Sequence, residues 1–359
     1  MKIQLYGQPT WNYEFLKMHL LNLTNKSGVN LDIEEVNHWS KILEECVETI
    51  PAVKINDEEY LAKEKNESLN QYVKKVFSSI LQKENYGNMP VLIVPVDFSE
   101  TSKNAMLYAI QLAEKINGVV KVVHVYHPNS ECENIRGTSK TWEKRNELKV
   151  FIEHDTSHWL NENIESPIIE DHFYIGLPIR TIVEISNQFN NSMIIMGTKG
   201  EGDSMKKRFG SVSTEVAAKA ACPVLLVPPG TTEFSFDHIC YALDDLKTDG
   251  LAKGFLAAFA RKTKSIISLA HISEENNAYN WSDLMQYWKL SYPKNKLGLY
   301  QYERKNITGG LQEFCKSNVV DLLVMSVRKR SFFNSIFHHS NTQESAIYTK
   351  LPLLILHAE

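Results

Sequence analysis

The segment GTKGEGDSMKKRFGSVS (197–213) holds the densest chemistry in the chain. Gly197, Gly200 and Gly210 fall in the pattern G-x2-G-x9-G, with Ser211 directly after. An apolar run, MIIM (193–196), leads into the segment, and a helix-like stretch, TEVAAKAA (214–221), leads out of it. A strand that ends in glycines and feeds a helix can hold phosphate. Glycine lets the backbone approach an anion closely and take φ > 0. The free amides and dipole of the helix start supply the attraction. Ser211 and Ser213 could add hydroxyl donors, and Lys206, Lys207 and Arg208 bring positive charge to the intervening loop. The same residues also admit a plainer reading, a polar loop with a helix cap.

The elements that position this turn repeat along the chain. VLIVPVDFSE (91–100) ends near Asp97, a helical stretch follows over 104–116, and VVKVVHV (119–125) comes next. HICYALDD (238–245) reaches Asp244, a helical stretch follows over 251–262, and SIISLAHI (265–272) comes next. The interval from Asp97 to His124 equals that from Asp244 to His271. The interval from Met196 to Pro223 equals that from Met325 to Pro352, and each Pro opens a final apolar run, PVLLVP (223–228) and PLLILH (352–357). Matched intervals between like residues mark an internal duplication. In each copy short apolar runs alternate with amphipathic stretches, which predicts an α/β fold with parallel strands covered by helices. PPGTTEFS (228–235) reads as the boundary between the copies.

The first 85 residues follow another plan. Strand-like KIQLYG (2–7), a helix over 13–25, a strand over 29–36, a short helix over 38–46, two strand-like pieces at 49–56 and 58–60, and a helix over 69–82 give the order βαβαββα. Polar KENYGNM (83–89) reads as a link to the rest. Trp142 and Trp159, in the polar stretch 127–172, read as packing residues.

Composition narrows the classes. Lys+Arg 39 against Asp+Glu 43 gives a net charge of −4, which removes any global attraction to nucleic acid or an anionic membrane. No apolar window is long enough to cross a bilayer, and the N-terminus lacks the apolar core of a signal peptide. Cys46, Cys132, Cys222, Cys240 and Cys315 stand singly, as expected of reduced thiols in the cytoplasm. His338-His339 lacks partners at metal spacing.

Three stretches together, VPVDFSETS (94–102), the glycine run through Gly210-Ser211, and CPVLLVP (222–228), resemble the universal stress protein family. The resemblance spans both copies. It implies two tandem Rossmann-like domains of five parallel strands each, at 90–230 and 236–359. It also implies a stress-response regulatory protein that binds ATP, alone or with Mg²⁺, in the first domain, and acts through nucleotide-dependent conformation or partner binding. By that resemblance Asp97 contacts ribose or a phosphate-bound metal, Pro95 and Val123 border the adenine, and Gly197, Gly200, Gly210, Ser211, Val212 and Ser213 hold the phosphates. The second copy departs from the pattern: Ser326, Lys329 and His339 stand opposite the three glycines, so it is expected to bind no ATP and to pair with the first as an intramolecular pseudo-dimer.

The order over 1–85, with Ile50-Pro51 before a strand, resembles the thioredoxin and glutaredoxin-like fold. The redox pair of that fold would lie near Gln8-Pro9-Thr10-Trp11, where no cysteine stands. The module is therefore expected to be redox-silent and to mediate protein contacts. Two other functions stay open. A weak ATPase or phosphotransferase lacks a Walker lysine and an evident general base, although Asp97 or Asp203 could help hold Mg²⁺. A nucleotide-free interaction scaffold would leave the glycine run without a use.

Overall fold

The computed structural model describes residues 1–359 except 46, 48, 85, 128–136, 162–165, 200–209, 232–233, 244–249, 274–296, 304–306, 328–350 and 358–359. The N-terminal module comprises β1 (Lys2–Tyr6), α1 (Trp11–Ser27), β2 (Asp32–Val36), α2 (Trp39–Glu44), β3 (Ala52–Ile55), β4 (Glu59–Ala62) and α3 (Leu69–Lys83). Its sheet has the order β2-β1-β3-β4, with β1 parallel to β2 and the other pairs antiparallel. The Ile50-Pro51 bond before β3 is cis. Local chemistry sets the helix ends. The Thr10 hydroxyl accepts from the Tyr13 amide at the start of α1, and Gly28, at φ 70, closes it. Ser68 and Gln71 form a capping box on α3.

A ten-stranded sheet makes up the rest. Its first half contains β5 (Val91–Pro95), α4 (Glu100–Ile116), β6 (Val119–Tyr126), α5 (Gly137–Asn161), β7 (Ile168–Ile175), α6 (Pro178–Ser186), β8 (Ser192–Gly197), α7 (Ser211–Lys219) and β9 (Val224–Val227). Its second half contains β10 (His238–Leu243), α8 (Gly250–Thr263), β11 (Ile266–Ser273), β12 (Leu297–Glu303), α9 (Ile307–Ser317), β13 (Leu322–Val327) and β14 (Leu353–His357). The order is β12-β11-β10-β13-β14-β9-β8-β5-β6-β7, so the strands of the two halves follow one plan. Within each half every pairing is parallel, and the halves meet where β14 runs antiparallel to β9. Strand registers match too: Val91 faces Val119 as His238 faces Ile266, and Ile194 faces Val224 as Leu323 faces Leu353. Continuous burial of β5 and β9 explains why their sequences are apolar at every position rather than alternating.

Helices α4 and α8 cover one face of the sheet, where Tyr108 meets Phe236 edge-on at 4.9 Å between ring centroids. The end of the segment between the two halves is therefore a wedge of aromatic packing. On the other face a single apolar core runs from the N-terminal module into both halves.

The polar stretch 83–89 is not a simple tether. Tyr86 within it is buried, and its hydroxyl donates to Glu170 of β7 at 2.8 Å. Glu170 also accepts from Lys121 of β6 at 2.8 Å, His172 at 3.0 Å, Gln82 of α3 at 3.1 Å, and Ser78 of α3. Burial alone would raise the Glu170 carboxyl, but His172, Lys121 and Ser78 outweigh it and hold the group well below the usual carboxylate range. The Lys121 ammonium lies 4.8 Å from the Tyr86 ring centroid and 5.4 Å from that of Phe189. This hub fastens the module to the sheet. Trp142 also differs from expectation: it is 70% exposed on α5, while the side chain of Trp159 lies outside the described residues. No helix among the described residues is long and apolar enough to cross a membrane.

Candidate functional site

At the carboxyl ends of β5, β6 and β8 the first half opens a cavity of about 180 Å³. Parallel strands all deliver their ends to one edge, and each following helix begins there. Three helix starts therefore converge: Ser102 from α4, Pro178 from α6, and Val212 and Ser213 from α7 all line the cavity. One α4 amide is already served, because the Ser99 hydroxyl accepts from the Ser102 amide. Among the described residues no side chain caps α6 or α7. The amides of the first turn of α7 thus keep their capacity for an outside acceptor.

Of the residues singled out from sequence, Pro95, Asp97, Val123, Gly197, Gly210, Val212 and Ser213 line this one cavity. Ser211 is the first residue of α7, and Gly200 lies outside the described residues, as do Lys206, Lys207 and Arg208. The helix begins at Ser211, three residues earlier than its apolar pattern suggested, so the serines belong to its first turn. It stops at Lys219, where Ala220 turns extended shortly before Pro223.

The geometry changes several assigned roles. Neither Gly197 nor Gly210 has a left-handed backbone; Gly210 sits at φ −72 and ψ 158. Space, not torsion, requires glycine at 197. A Cβ there would come 2.7 Å from Thr101 Cγ2 and 3.1 Å from the Thr101 carbonyl, in the first turn of α4. The Ser213 hydroxyl donates to the carbonyls of Thr198, at 2.9 Å, and Gly210, at 3.0 Å. Its proton is committed to closing the base of the 198–210 loop, where the Gly210 amide also reaches the Thr198 carbonyl at 2.6 Å. Asp97 is exposed, and its Oδ1 accepts from the Ser99 amide at 3.2 Å and the Ser99 hydroxyl at 2.6 Å.

Sequence reasoning passed over Lys199 and His124, which also line the cavity. Lys199 had a legible signal, standing in the G-T-K-G turn itself. His124 is buried, and its Nδ1 donates to the Val96 carbonyl at 2.8 Å. Its ring stacks on Phe98 at 4.4 Å, holding that residue at φ 67, an uncommon setting for an aromatic side chain. Burial lowers the His124 pKa, so the imidazole stays neutral with its proton on Nδ1. The remaining walls are apolar, among them Val96, Val125, Ile182 and Met196. The cavity therefore offers an apolar slot beside the α7 amides and Lys199, a match for a flat hydrophobic group carrying an anionic tail. Among the described residues no cluster of three or more His, Cys, Asp or Glu could hold a metal.

Comparison with known proteins agrees with this architecture. Residues 89–228 match the universal stress protein family. The chain is 30% identical to the stress response protein NhaX of Bacillus subtilis, over 38% of this chain and 96% of that protein. It is 27% identical to universal stress protein MJ0577 of Methanocaldococcus jannaschii, over 38% of this chain and 93% of that protein. The crystal structure of a universal stress protein from Archaeoglobus fulgidus superposes with a TM-score of 0.59 at 20% identity, covering 75% of this chain and 96% of that one, a likeness of fold. With its glycine-bearing turn inside the matched region and relatives spanned almost end to end, the chain belongs to the universal stress protein family.

Proposed function

We propose that this is a cytoplasmic stress-response regulator that binds ATP in the first half of its sheet. The carrying observation is the meeting of Pro95, Asp97, Val123, Gly197, Gly210, Val212 and Ser213 around one cavity at the uncapped start of α7. The apolar walls at Pro95 and Val123 suit a purine, and the α7 amides with Lys199 suit phosphate. Asp97 on the cavity lining and Ser211 at the start of α7 suit contact with a ribose or a phosphate-bound Mg²⁺, while Ser213 acts by holding the loop base. In this reading residues 90–230 and 236–359 are tandem family domains, the second retained as an intramolecular partner. The shared strand order and the β14–β9 seam support that.

Residues 1–85 are read as a thioredoxin-like module without redox chemistry, supported by the sheet order, the cis Ile50-Pro51 bond and the absence of cysteine at Gln8–Trp11. Trp11, 71% exposed and stacked on Phe15 at 5.0 Å, supports a contact role for that surface. Binding regulates only through unequal affinity for two states, and a bound partner would have to distinguish them.

Titration calorimetry with ATP, with and without Mg²⁺, tests the reading. AMP, ADP and cyclic AMP serve as comparison ligands. Saturable binding of one nucleotide per chain is expected. No heat and no thermal shift at millimolar nucleotide would leave the scaffold reading. Repeated hydrolysis by the purified chain would replace regulation with turnover. Asp97 is the one carboxylate among the described lining residues, and Ser99 already engages it.

A further inference from the structure

The second half contributes a side chain to the helix that faces the cavity. His357, at the end of β14, donates through Nε2 to the carbonyl of Ala217 at 2.8 Å. Ala217 lies in the last turn of α7, whose carbonyls have run out of intrahelical donors because the helix ends at Lys219. The contact follows from the seam. Leu353 faces Leu226 and Ile355 faces Val224, so β14 advances as β9 runs backward toward the end of α7. Among the described residues the His357 Nδ1 is buried without a hydrogen-bond partner. A leucine there would bury no such atom, so the imidazole is held for the donor and not for packing.

The exchange between halves is one-way. The corresponding final runs are PVLLVP (223–228) and PLLILH (352–357), and Pro228 stands where His357 does. Proline carries no side-chain donor, so the first half cannot return this cap. The half that keeps the glycine turn receives a donor, and the half that lost the glycines supplies it. A donor at a helix C-terminus satisfies an orphan carbonyl and steadies a helix of only nine residues. We infer that His357 is a positioning residue for the anion end of the first-half cavity, acting through α7. Its effect on affinity rests on the nucleotide reading above; its effect on α7 does not.

Three measurements test it on the full chain. Imidazole ¹⁵N shifts of the wild-type protein should report His357 with its proton on Nε2; a proton on Nδ1 overturns the contact. Hydrogen exchange without ligand should show the Thr214–Ala220 amides of His357→Phe exchanging about tenfold faster than wild type, with His357→Gln, which keeps a donor, within about twofold. Unchanged α7 protection in His357→Phe overturns the inference. ATP titration at a temperature where every variant is folded should show about three- to tenfold weaker binding by His357→Phe and recovery in His357→Gln. Equal affinities with altered exchange confine His357 to structure and overturn the positioning role. A wild-type chain that binds no ATP removes the nucleotide reading, while the tautomer and exchange results still decide whether α7 is held from the second half.

Discussion

The two halves of the large sheet share a frame and differ in what hangs on it. His124 donates to the Val96 carbonyl and His271 to the Leu243 carbonyl, each across 28 residues, at 2.8 and 2.9 Å. That clamp survives in both halves, so it belongs to the fold. The glycine turn stands only in the first half. The second has Ser326 at the end of β13, opposite Gly197, while its positions opposite Gly200 and Gly210 lie outside the described residues. The ion pair beneath the N-terminal module also stands only in the first half. Lys121 faces Glu170 across β6 and β7, and Ser268 faces Gly298 at the same register of β11 and β12. The shared strand plan thus supplies an internal control: what both halves keep holds the sheet, and what one half keeps marks its added duties.

The largest effect should come from the hub. Glu170→Ala leaves the Lys121 ammonium buried without its carboxylate, which costs about 3–5 kcal/mol. Chemical denaturation measures it, and Ser268→Ala at the matching position of the second half should cost only about 1 kcal/mol, the loss of its bond to His238. Equal losses would break the assignment of module docking to the first half alone.

Next is Gly210→Glu, which places a carboxylate on the cavity wall at the start of α7. ATP affinity should fall by about a hundredfold or more, since a charge is buried against the phosphate amides. Calorimetry reads this, and retained affinity would place the ligand elsewhere.

Gly197→Ala sharpens the contrast at closer range. The added methyl meets Thr101 and should cost about 1–3 kcal/mol, whereas Ser326→Ala should cost under about 1 kcal/mol because a Cβ is already accommodated there. Similar costs would mean that space does not dictate glycine at 197.

The smallest effect concerns the shared clamp. His124→Leu and His271→Leu should each cost about 1 kcal/mol. Because burial lowers the folded-state pKa of His124, the unfolded chain binds the extra proton first as pH falls below 6.5. Wild-type stability should therefore decline as acid enters that window, and levelling should begin below the folded value. Denaturation midpoints from pH 7.5 down to about 5 should be flatter for His124→Leu. An unchanged slope would show that His124 is not the titrating group.

The sequence by itself determined the matched intervals of the two halves, the alternation of strand and helix, and the turn that carries glycine. These are local patterns: a buried parallel strand must be apolar throughout, and an open helix start leaves its mark within a few residues. Only the tertiary structure decided the rest. Lys121 sits inside an apolar run and looks out of place until Glu170, 49 residues away, lies beside it. Gly197 reads as a torsional need until Thr101 is seen to fill its space. Ser213 reads as a phosphate donor until the carbonyls of Thr198 and Gly210 claim its proton. His357 reads as the last polar residue of a strand until the seam carries it to α7. In each case the deciding partner is distant along the chain, and the energy of burial or of a hydrogen bond depends on which partner folding brings near.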